Sequence, residues 1–288
     1  MPELPEVEVV RRSLDNFIAG LKINKVRIFN RNLRYKISRD FKKVVQGQKI
    51  TSILRKGKFL LIRLKNKKII IIHLGMTGKI FIKTQKNSLA FVTSFYYERR
   101  FIKKHNHLML NLSNSVDLIY NDVRKFGFIK VKNFQELNLD KHLSKLGPEP
   151  LSKRFNLKYL IEKCNKSKKN IKNFLMDQKY ISGLGNIYVN EILFSCSINP
   201  KKLSHNLSLE QLSKIINNTK KILKVSIQLG GSSIRDFNSA TGQKGLFQEN
   251  FKVYDRDNKS CLKRKCGGSV KKIYISNRST FFCTKCQK

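Results

Sequence analysis

Four cysteines near the C-terminal end of the chain constrain its fold more than any other sequence feature. They are Cys261, Cys266, Cys283 and Cys286, with gaps of four, 16 and two residues between them. Two close pairs at such a distance are the usual ligand arrangement of a tetrahedral four-thiolate zinc site. Because thiolate fills all four positions, we predict one structural Zn²⁺ without a catalytic role. The ion would hold a two-stranded ribbon from which Arg278 projects.

The charge balance indicates the kind of partner. The 288 residues include 60 Lys and Arg against 19 Asp and Glu, a net charge of +41. An excess of this size favours a polyanion such as nucleic acid, bound with a steep dependence on salt. The alternative is a merely solvated basic surface that reflects genome composition. Such a bias explains many lysines, but it does not explain so few acids.

No apolar run in the sequence has the length of a membrane span. The run at 69–74 falls far short of the roughly 18 to 20 residues required, and His73 interrupts it. Acidic residues occupy the N-terminus, where a signal peptide would be basic and then apolar. We therefore expect a soluble protein of the cytoplasm without a membrane partner.

The first residues combine a proline with a carboxylate. If Met1 is removed, Pro2 carries a secondary amine, and Glu3 follows it directly. A secondary amine that attacks a sugar C1′ gives an iminium ion, so this pair suits a glycosylase that is also a lyase. The alternative is that Pro2 has no role and Pro5 merely starts a helix. A helical apolar stripe follows and would fix the terminal amine in place: Val7, Val10, Leu14, Phe17 and Ile18.

Hydrophobic periodicity divides the chain into a β region and a helical region. Short strands follow the first helix, with hairpins at 59–74 and 108–120, and favour a β-sandwich or barrel. Helical spacing recurs at 157–164, 171–180, 187–194 and 209–229. We predict an α+β chain with four parts: an N-terminal β-sandwich domain with flanking helices at 2–135, a linker at 136–155, a C-terminal helical domain at 156–248 and a zinc ribbon at 249–288.

A glycine-rich turn precedes the third of these helices. Gly183 and Gly185 flank Leu184, and Asn186 is placed to cap the helix. Free amides at a helix N-terminus bind phosphate, whereas the alternative is an ordinary capped turn between helices. The local sequence favours neither.

Several motifs occur together and in order along the whole chain. They are Pro2-Glu3-Leu4-Pro5-Glu6-Val7-Glu8, His73-Leu74-Gly75-Met76-Thr77-Gly78, Leu146-Gly147-Pro148-Glu149-Pro150, Gly185-Asn186-Ile187-Tyr188 and the four-cysteine cluster. In this set the chain closely resembles the bacterial formamidopyrimidine-DNA glycosylase family. The resemblance implies a helix-two-turn-helix motif in the helical domain. It also implies a monomer that works on the nucleoid.

The resemblance further implies a reaction and residues that carry it out. The reaction is excision of oxidised purines, chiefly 8-oxoguanine and formamidopyrimidines, from double-stranded DNA, followed by β,δ-elimination of the abasic sugar. Pro2 corresponds to the nucleophile that forms the Schiff base, and Glu3 to the acid that protonates the opening sugar ring. Lys58 corresponds to a hairpin lysine that assists elimination. Arg278 corresponds to a ribbon arginine that binds phosphate and serves δ-elimination.

DNA contacts are implied in the same way. Met76, Arg124 and Phe126 correspond to residues that fill the void after the damaged nucleotide is flipped out of the duplex. Packing in the core is the alternative for Met76 and Phe126. Three further residues correspond to DNA contacts of the family: His105, Lys168 and Asn186. The neighbours of Lys168 could serve equally well.

The segment 231–245 resembles the lesion-capping loop of the purine-specific branch. The related endonuclease VIII branch, which prefers oxidised pyrimidines, is the alternative. The chain departs from the family in two places. Four residues separate Cys261 from Cys266, where two are commoner, and Val123 and Lys125 replace the usual proline and arginine.

Two other hypotheses compete with a glycosylase, and the first of them is non-catalytic. A zinc protein that only binds damaged DNA would keep the charge and the cysteines, but it would not need Pro2, Glu3 and Lys58 together. A ribbon that acts on RNA would need exposed aromatic stacking platforms. The sequence shows no clear set of them.

Overall fold

The computed structural model describes residues 1–84, 91–93, 102–232 and 245–288. The chain forms two compact units, Met1–Ser144 with Ile227–Gln248, and Lys145–Ser226 with Glu249–Lys288. None of the helices within the described ranges is long and apolar enough to cross a membrane.

Helix α1 (Leu4–Ile18) opens the first unit and has the predicted stripe. Pro5 fits the first turn, where a missing backbone donor costs nothing. The Glu3 amide donates to Oε2 of Glu6 over 2.9 Å, which satisfies one free donor of the helix start. Gly20, with a φ of +83°, follows the end of the helix. The buried side chains of the stripe are Val7, Val10, Leu14 and Ile18.

Nine strands and one short helix complete the first unit within the described residues. The strands are β1 (Ile23–Ile28), β2 (Ile50–Lys56), β3 (Phe59–Leu64), β4 (Lys68–His73), β5 (Gly78–Lys83), β6 (Phe91–Thr93), β7 (Asn106–Leu112), β8 (Val116–Asp122) and β9 (Phe128–Asn133). The short helix is α2 (Phe41–Val45). Both predicted hairpins are present, as β3 with β4 and β7 with β8.

These strands form two antiparallel sheets. One has the order β1-β7-β8-β5-β6 and the other β2-β3-β4-β9. A single apolar core receives side chains from α1 and from both sheets, including Leu14, Ile70 and Leu118. From Leu108 onward, buried residues alternate with half-buried ones along β7 and direct one face of that strand into the core. In β1 a register shift between Ile23 and Lys25 interrupts the alternation, and Ile23 and Val26 enter the core. The predicted β-sandwich is thereby confirmed.

The second unit is helical with a terminal β-ribbon. Its helices are α3 (Leu157–Asn165), α4 (Ile171–Met176), α5 (Asn186–Ser195) and α6 (Leu209–Gln228), and its strands are β10 (Val270–Ile275) and β11 (Arg278–Cys283). Side-chain caps begin three of the helices. Ser208 and Gln211 form the predicted capping box before α6, with two hydrogen bonds of 3.2 Å.

The predicted helix at 171–180 was too long, since α4 ends at Met176. Asp177 stops it, because its Oδ1 accepts a hydrogen bond from the Lys179 amide over 3.0 Å. Such a local side-chain bond offers the backbone an alternative to the next helical turn. The Lys169 ammonium also binds the Asp177 carboxylate at 2.6 Å and holds it there.

Residues 227–248 belong to the first compact unit. The predicted boundaries instead place them in the helical domain at 156–248. The two ends of this segment meet, since the Leu246 amide donates to the Leu229 carbonyl over 2.9 Å. Ser232 is tied to α1, because its amide and its hydroxyl both donate to Oε1 of Glu6, at 2.8 and 2.9 Å. The start of this segment therefore belongs with the N-terminal helix.

Candidate active site and nucleic-acid interface

The N-terminal pair lies at the start of α1 in the first unit. Pro2 is buried, and Glu3 is 3% exposed. Glu6 holds this end of the helix from both sides, since Oε2 binds the Glu3 amide and Oε1 binds Ser232. A nucleophile placed here would be fixed in position by a buried carboxylate and largely shielded from water.

Lys58 lies in the turn that joins β2 to β3. Gly57, with a φ of +56°, makes that turn possible, since left-handed backbone is easiest for glycine. Lys58 is 6% exposed, which is unusual for a lysine. The hairpin thus holds an ammonium group in a mostly buried place.

His73, the last residue of β4, lies near both Lys58 and the N-terminus. It pairs across the sheet with Phe59, the neighbour of Lys58, and its Nδ1 accepts a hydrogen bond from the Gly75 amide over 3.2 Å. Burial, together with the charges of Lys58 and of other cations that include the Met1 amine, lowers the pKa of His73 to about 4. The ring therefore stays neutral at neutral pH. Lys58 and the Met1 amine both lie within electrostatic range of it.

Met76, Arg124 and Phe126 lie at the surface of the first unit, on two loops. Met76 is in the turn between β4 and β5, and the other two are between β8 and β9. Met76 is 37% exposed and Phe126 45% exposed, so neither packs in the core. The Arg124 guanidinium lies 4.4 Å from the centre of the Phe126 ring, a cation–π contact. The loops thus present apolar side chains and the cations of Arg124 and Lys125 to solvent.

His105 occupies a different part of the first unit. It ends the short 3₁₀ helix Lys103–His105 just before β7, and its side chain is partly buried. Basic neighbours Lys103 and Lys104 precede it. The short helix therefore forms a small cationic surface beside the start of β7.

Asn186 belongs to the second unit, and the capping role assigned to it was wrong by one position. Gly185 is the N-cap of α5, and Asn186 is the first helical residue. Its side chain points to the ribbon, since Nδ2 donates to the Ser279 carbonyl over 2.9 Å. Asn186 therefore joins the start of α5 to the residue that follows Arg278.

Three residues that the sequence did not single out fix the ribbon to the helices. Lys172 is 0% exposed, and its Nζ donates to the Ser279 carbonyl at 3.0 Å and to Oγ1 of Thr280 at 2.6 Å. Asn190 accepts from the Phe281 amide at 2.8 Å. The buried Glu191 carboxylate accepts from three successive amides, those of residues 252 to 254. A lysine between apolar positions of a helix was the available signal for Lys172.

Arg278 and Lys168 are both exposed on the second unit. Arg278 follows the tight turn Ser276-Asn277, in which both residues have positive φ, of 47° and 57°. Asn173 of α4 donates to the Ser276 hydroxyl over 2.8 Å and so fixes this turn. Lys168 lies in the loop between α3 and α4, beside Lys169. The hairpin tip thus presents one cation from a rigid base, whereas the loop presents several equivalent ones.

The four C-terminal cysteines converge on one point. Their sulfurs all lie within 4.8 Å of one another. Two of the separations are 3.8 Å for Cys261 to Cys286 and 3.6 Å for Cys266 to Cys283. Tetrahedral coordination at a Zn–S distance of about 2.3 Å separates sulfurs by about 3.8 Å. These residues therefore could hold one metal ion, and the donor set and geometry fit zinc.

Gly268 supports the same site. A Cβ at this position would lie 2.9 Å from the Cys283 sulfur and 3.3 Å from the Cys266 sulfur, so only glycine leaves room. The Cys261 amide donates to the Gly268 carbonyl over 2.8 Å, which closes the longer first knuckle. The extra residues between the first two cysteines are therefore accommodated without displacing a sulfur from the cluster.

Cys164 and Cys196 are separate from that cluster. Both are buried, and burial raises the pKa of each thiol to about 12. A thiol that remains protonated at neutral pH is neither a nucleophile nor a metal ligand. These two side chains are packing residues.

The loop assigned to lesion capping lies mostly outside the described residues. Only its two ends, Gly231 with Ser232 and Gly245, are described. Gly231 has a φ of +83°, and a Cβ there would lie 3.1 Å from Cγ of Glu6. The loop therefore starts with a close approach to α1.

The chain combines a β-sandwich that begins with a buried proline, a helical unit and a terminal cysteine ribbon. Two family models match the chain: the formamidopyrimidine-DNA glycosylase N-terminal domain over residues 1–129 and its H2TH domain over residues 146–238. The formamidopyrimidine-DNA glycosylase of Bradyrhizobium sp. strain BTAi1 is 37% identical over 294 aligned residues, with all of both chains covered. That of Rhodopseudomonas palustris strain TIE-1 is also 37% identical over 294 residues, again with full coverage.

Solved structures of DNA complexes have the same fold as this chain. A complex between Lactococcus lactis Fpg and DNA with an abasic site is 35% identical, with 99% of both chains covered and a TM-score of 0.86. A complex of MutM with DNA that contains carbocyclic 8-oxo-G is also 35% identical, with full coverage and a TM-score of 0.86. The chain belongs to the formamidopyrimidine-DNA glycosylase family, whose members are DNA glycosylases with AP lyase activity.

Proposed function

We propose that this chain removes oxidised purines, chiefly 8-oxoguanine and formamidopyrimidines, from double-stranded DNA and then cleaves the abasic site by β,δ-elimination. The observation that carries the proposal is the buried N-terminal pair, with Glu3 only 3% exposed beside Pro2. Relatives named for this activity, and similar structures bound to DNA with an abasic site or with 8-oxo-G, support it.

The chemistry follows from the groups at this end of α1. After removal of Met1, the lone pair of the Pro2 nitrogen forms a bond to C1′ of the damaged nucleotide, and the bond from C1′ to the base breaks. The base leaves with the electron pair of that bond and takes up a proton, while the Pro2 nitrogen loses its own. Glu3 gives its proton to the ring oxygen O4′, so the sugar opens and an iminium ion forms. Loss of a proton from C2′ then expels the 3′ phosphate. Loss of a proton from C4′ in a second elimination expels the 5′ phosphate, and water hydrolyses the iminium ion to release the sugar remnant from Pro2.

Lys58 and Arg278 serve the elimination steps in this proposal. The Lys58 ammonium assists elimination near the phosphate of the lesion, and its burial strengthens that electrostatic effect. Arg278 binds phosphate from the tip of the ribbon and assists the second elimination. Lys172 and Asn186 position it, since both donate to the carbonyl of the next residue, Ser279.

The DNA-binding roles rest on the exposed basic and apolar groups. Met76 and Phe126 would occupy the space left by the flipped nucleotide, and Arg124 would face the orphaned base. Unstacking costs a few kcal/mol, which phosphate contacts would offset. These contacts come from His105, Lys168 and Asn186. In this proposal the protein is a cytoplasmic monomer that acts on the nucleoid, where double-stranded DNA is found.

The four cysteines would hold one structural Zn²⁺ in this proposal, and the ion would supply stability to the ribbon and no chemistry. The functional division would be a catalytic domain at 2–135, a linker at 136–155, the helical domain with the capping loop at 156–248 and the ribbon at 249–288. The ribbon would contribute Arg278 to the DNA interface.

A comparison of lesions tests the substrate class. Single-turnover excision is measured on otherwise identical duplexes that carry either 8-oxoguanine opposite cytosine or an oxidised pyrimidine opposite guanine. We expect the purine to be removed at least about tenfold faster, a normal discrimination between bases by one pocket. A preference for the pyrimidine would favour an endonuclease VIII type of enzyme. Binding without excision of either would favour a non-catalytic damage sensor.

A further inference from the structure

The two loops of the first unit that carry exposed apolar residues are bonded to each other. Thr77 lies next to Met76 on one loop, and its Oγ1 accepts a hydrogen bond from the Arg124 amide of the other over 3.1 Å. The same hydroxyl donates to Oδ1 of Asp122 in a short hydrogen bond. One hydroxyl therefore bridges the backbone of the second loop and a carboxylate at its base.

Asp122 is the centre of this arrangement. It is the last residue of β8 and is 0% exposed. Its Oδ2 accepts from the Gly127 amide over 2.8 Å and from the Tyr120 hydroxyl over 3.3 Å. Burial, together with the negative charge of Asp122, raises the pKa of Tyr120 well above its usual range, so that hydroxyl stays a donor. The carboxylate thus receives hydrogen bonds from both loops and from the strand between them.

Glycines let the backbones of the loops touch. A Cβ at Gly75 would lie 2.5 Å from the Gly127 nitrogen and 2.5 Å from the Phe126 carbonyl carbon. A Cβ at Gly127 would lie 2.6 Å from the His73 carbonyl oxygen. Real Cβ atoms do not approach backbone so closely, so a side chain at either position would push the loops apart. The contact is a direct one between main chains.

We propose that Asp122 and Thr77 are positioning residues that join the two loops into one rigid wedge, so that Met76 and Phe126 enter the duplex together. The inference rests on the proposed void-filling role of Met76 and Phe126. The hydrogen bonds of Thr77 make these two side chains act as a unit. Movement of one loop alone would break the bonds of Thr77. It would leave the buried carboxylate short of donors, which is costly in a dry environment.

A rigid wedge has a consequence for catalysis. The void must be filled at the moment the base leaves the stack, so any independent motion of the loops reduces the fraction of complexes with a fully extruded base. An abasic sugar has no base to extrude. Loosening the wedge should therefore slow removal of a damaged base much more than it slows cleavage of a preformed abasic site.

The test uses the full chain and two substitutions of Thr77. Thr77→Val keeps the branched shape but removes the bridging hydroxyl, whereas Thr77→Ser keeps the hydroxyl and is the matched control. Single-turnover rates are measured on a duplex with 8-oxoguanine opposite cytosine and on the same duplex with an abasic site. We expect Thr77→Val to slow base excision about tenfold, the usual effect of one lost buried hydrogen bond, and abasic-site cleavage less than about threefold. Thr77→Ser should resemble the unmodified chain.

A mutant cycle separates this inference from the proposed function. Met76→Ala and Phe126→Ala are measured alone and together, with Thr77 and with Val at position 77. We expect non-additive effects on excision with Thr77 and additive effects with Val. Equal slowing of both reactions by Thr77→Val, or a change in Met76→Ala alone with none in Thr77→Val, would overturn the inference. If neither Met76→Ala nor Phe126→Ala slows excision, the proposed void-filling role fails as well.

Discussion

Glu3→Gln and Pro2→Gly should each abolish base excision while leaving DNA binding nearly intact. Gln cannot supply the proton that opens the sugar ring, and general acid catalysis contributes about 10²- to 10⁴-fold, so we expect a loss of about 10³-fold for Glu3→Gln. Pro2→Gly replaces the secondary amine that would form the iminium ion. Affinity for a lesion-containing duplex should stay within about threefold, because phosphate contacts elsewhere dominate binding.

The measurement pairs single-turnover excision with fluorescence anisotropy on the same labelled duplex. Asp15→Asn is the matched control, since Asp15 lies at the far end of α1 and its carboxylate is 41% exposed. That variant should keep both excision and binding. Parallel loss of binding and excision in Glu3→Gln would instead indicate misfolding at the start of α1, where the Glu3 amide is bonded to Glu6. Full excision by Glu3→Gln would exclude the acid role.

After substitution of Glu3 or Pro2, removal of zinc should impair the protein most, because it should weaken DNA binding. The ribbon packs around a small core that includes Cys266, Cys283 and Phe281, and a structural zinc supplies about 10–16 kcal/mol to folding in small zinc domains. Without the ion, the strand that carries Arg278 loses its support. We expect one bound zinc per chain, release of it by a strong chelator, and a fall in DNA affinity of at least about tenfold because a phosphate contact is lost.

Two cysteine variants distinguish loss of a metal ligand from loss of a buried thiol. Cys266→Ser removes a ligand and should lower the zinc content and the DNA affinity together. Cys196→Ala removes a buried thiol outside the cluster and should retain one zinc per chain. Chelation that removes zinc but leaves DNA binding unchanged would contradict the proposed role of the ribbon.

Much of the fold could be predicted because local signals and tertiary packing agree. The stripe of α1 and both hairpins follow the periodicity of their apolar residues, and the capping box at Ser208 sets the start of α6. The four-cysteine cluster converges because its ligand spacing is that of a known metal geometry. In each case one short segment contains the whole signal.

The remaining features depend on partners far apart in the sequence. Asn186 looked like a cap because its type and position suit one, but its side chain binds Ser279, 93 positions away. Lys172 and Asp122 look like ordinary polar residues until Thr280 and Thr77 are brought beside them. Helix α4 ends early because of an aspartate whose local hydrogen bonds compete with the helix. Periodicity contains no information on any of these pairings.

The most direct test of the proposed mechanism is borohydride trapping on a duplex that carries 8-oxoguanine opposite cytosine, with the cross-linked residue located by mass spectrometry. Borohydride reduces the iminium ion to a stable amine, so a covalent adduct marks the nucleophile. We predict one adduct, on the nitrogen of Pro2. An adduct on a lysine such as Lys58, or no adduct with protein that lacks Met1 and binds the duplex, would contradict the assignment of the terminal proline as the nucleophile.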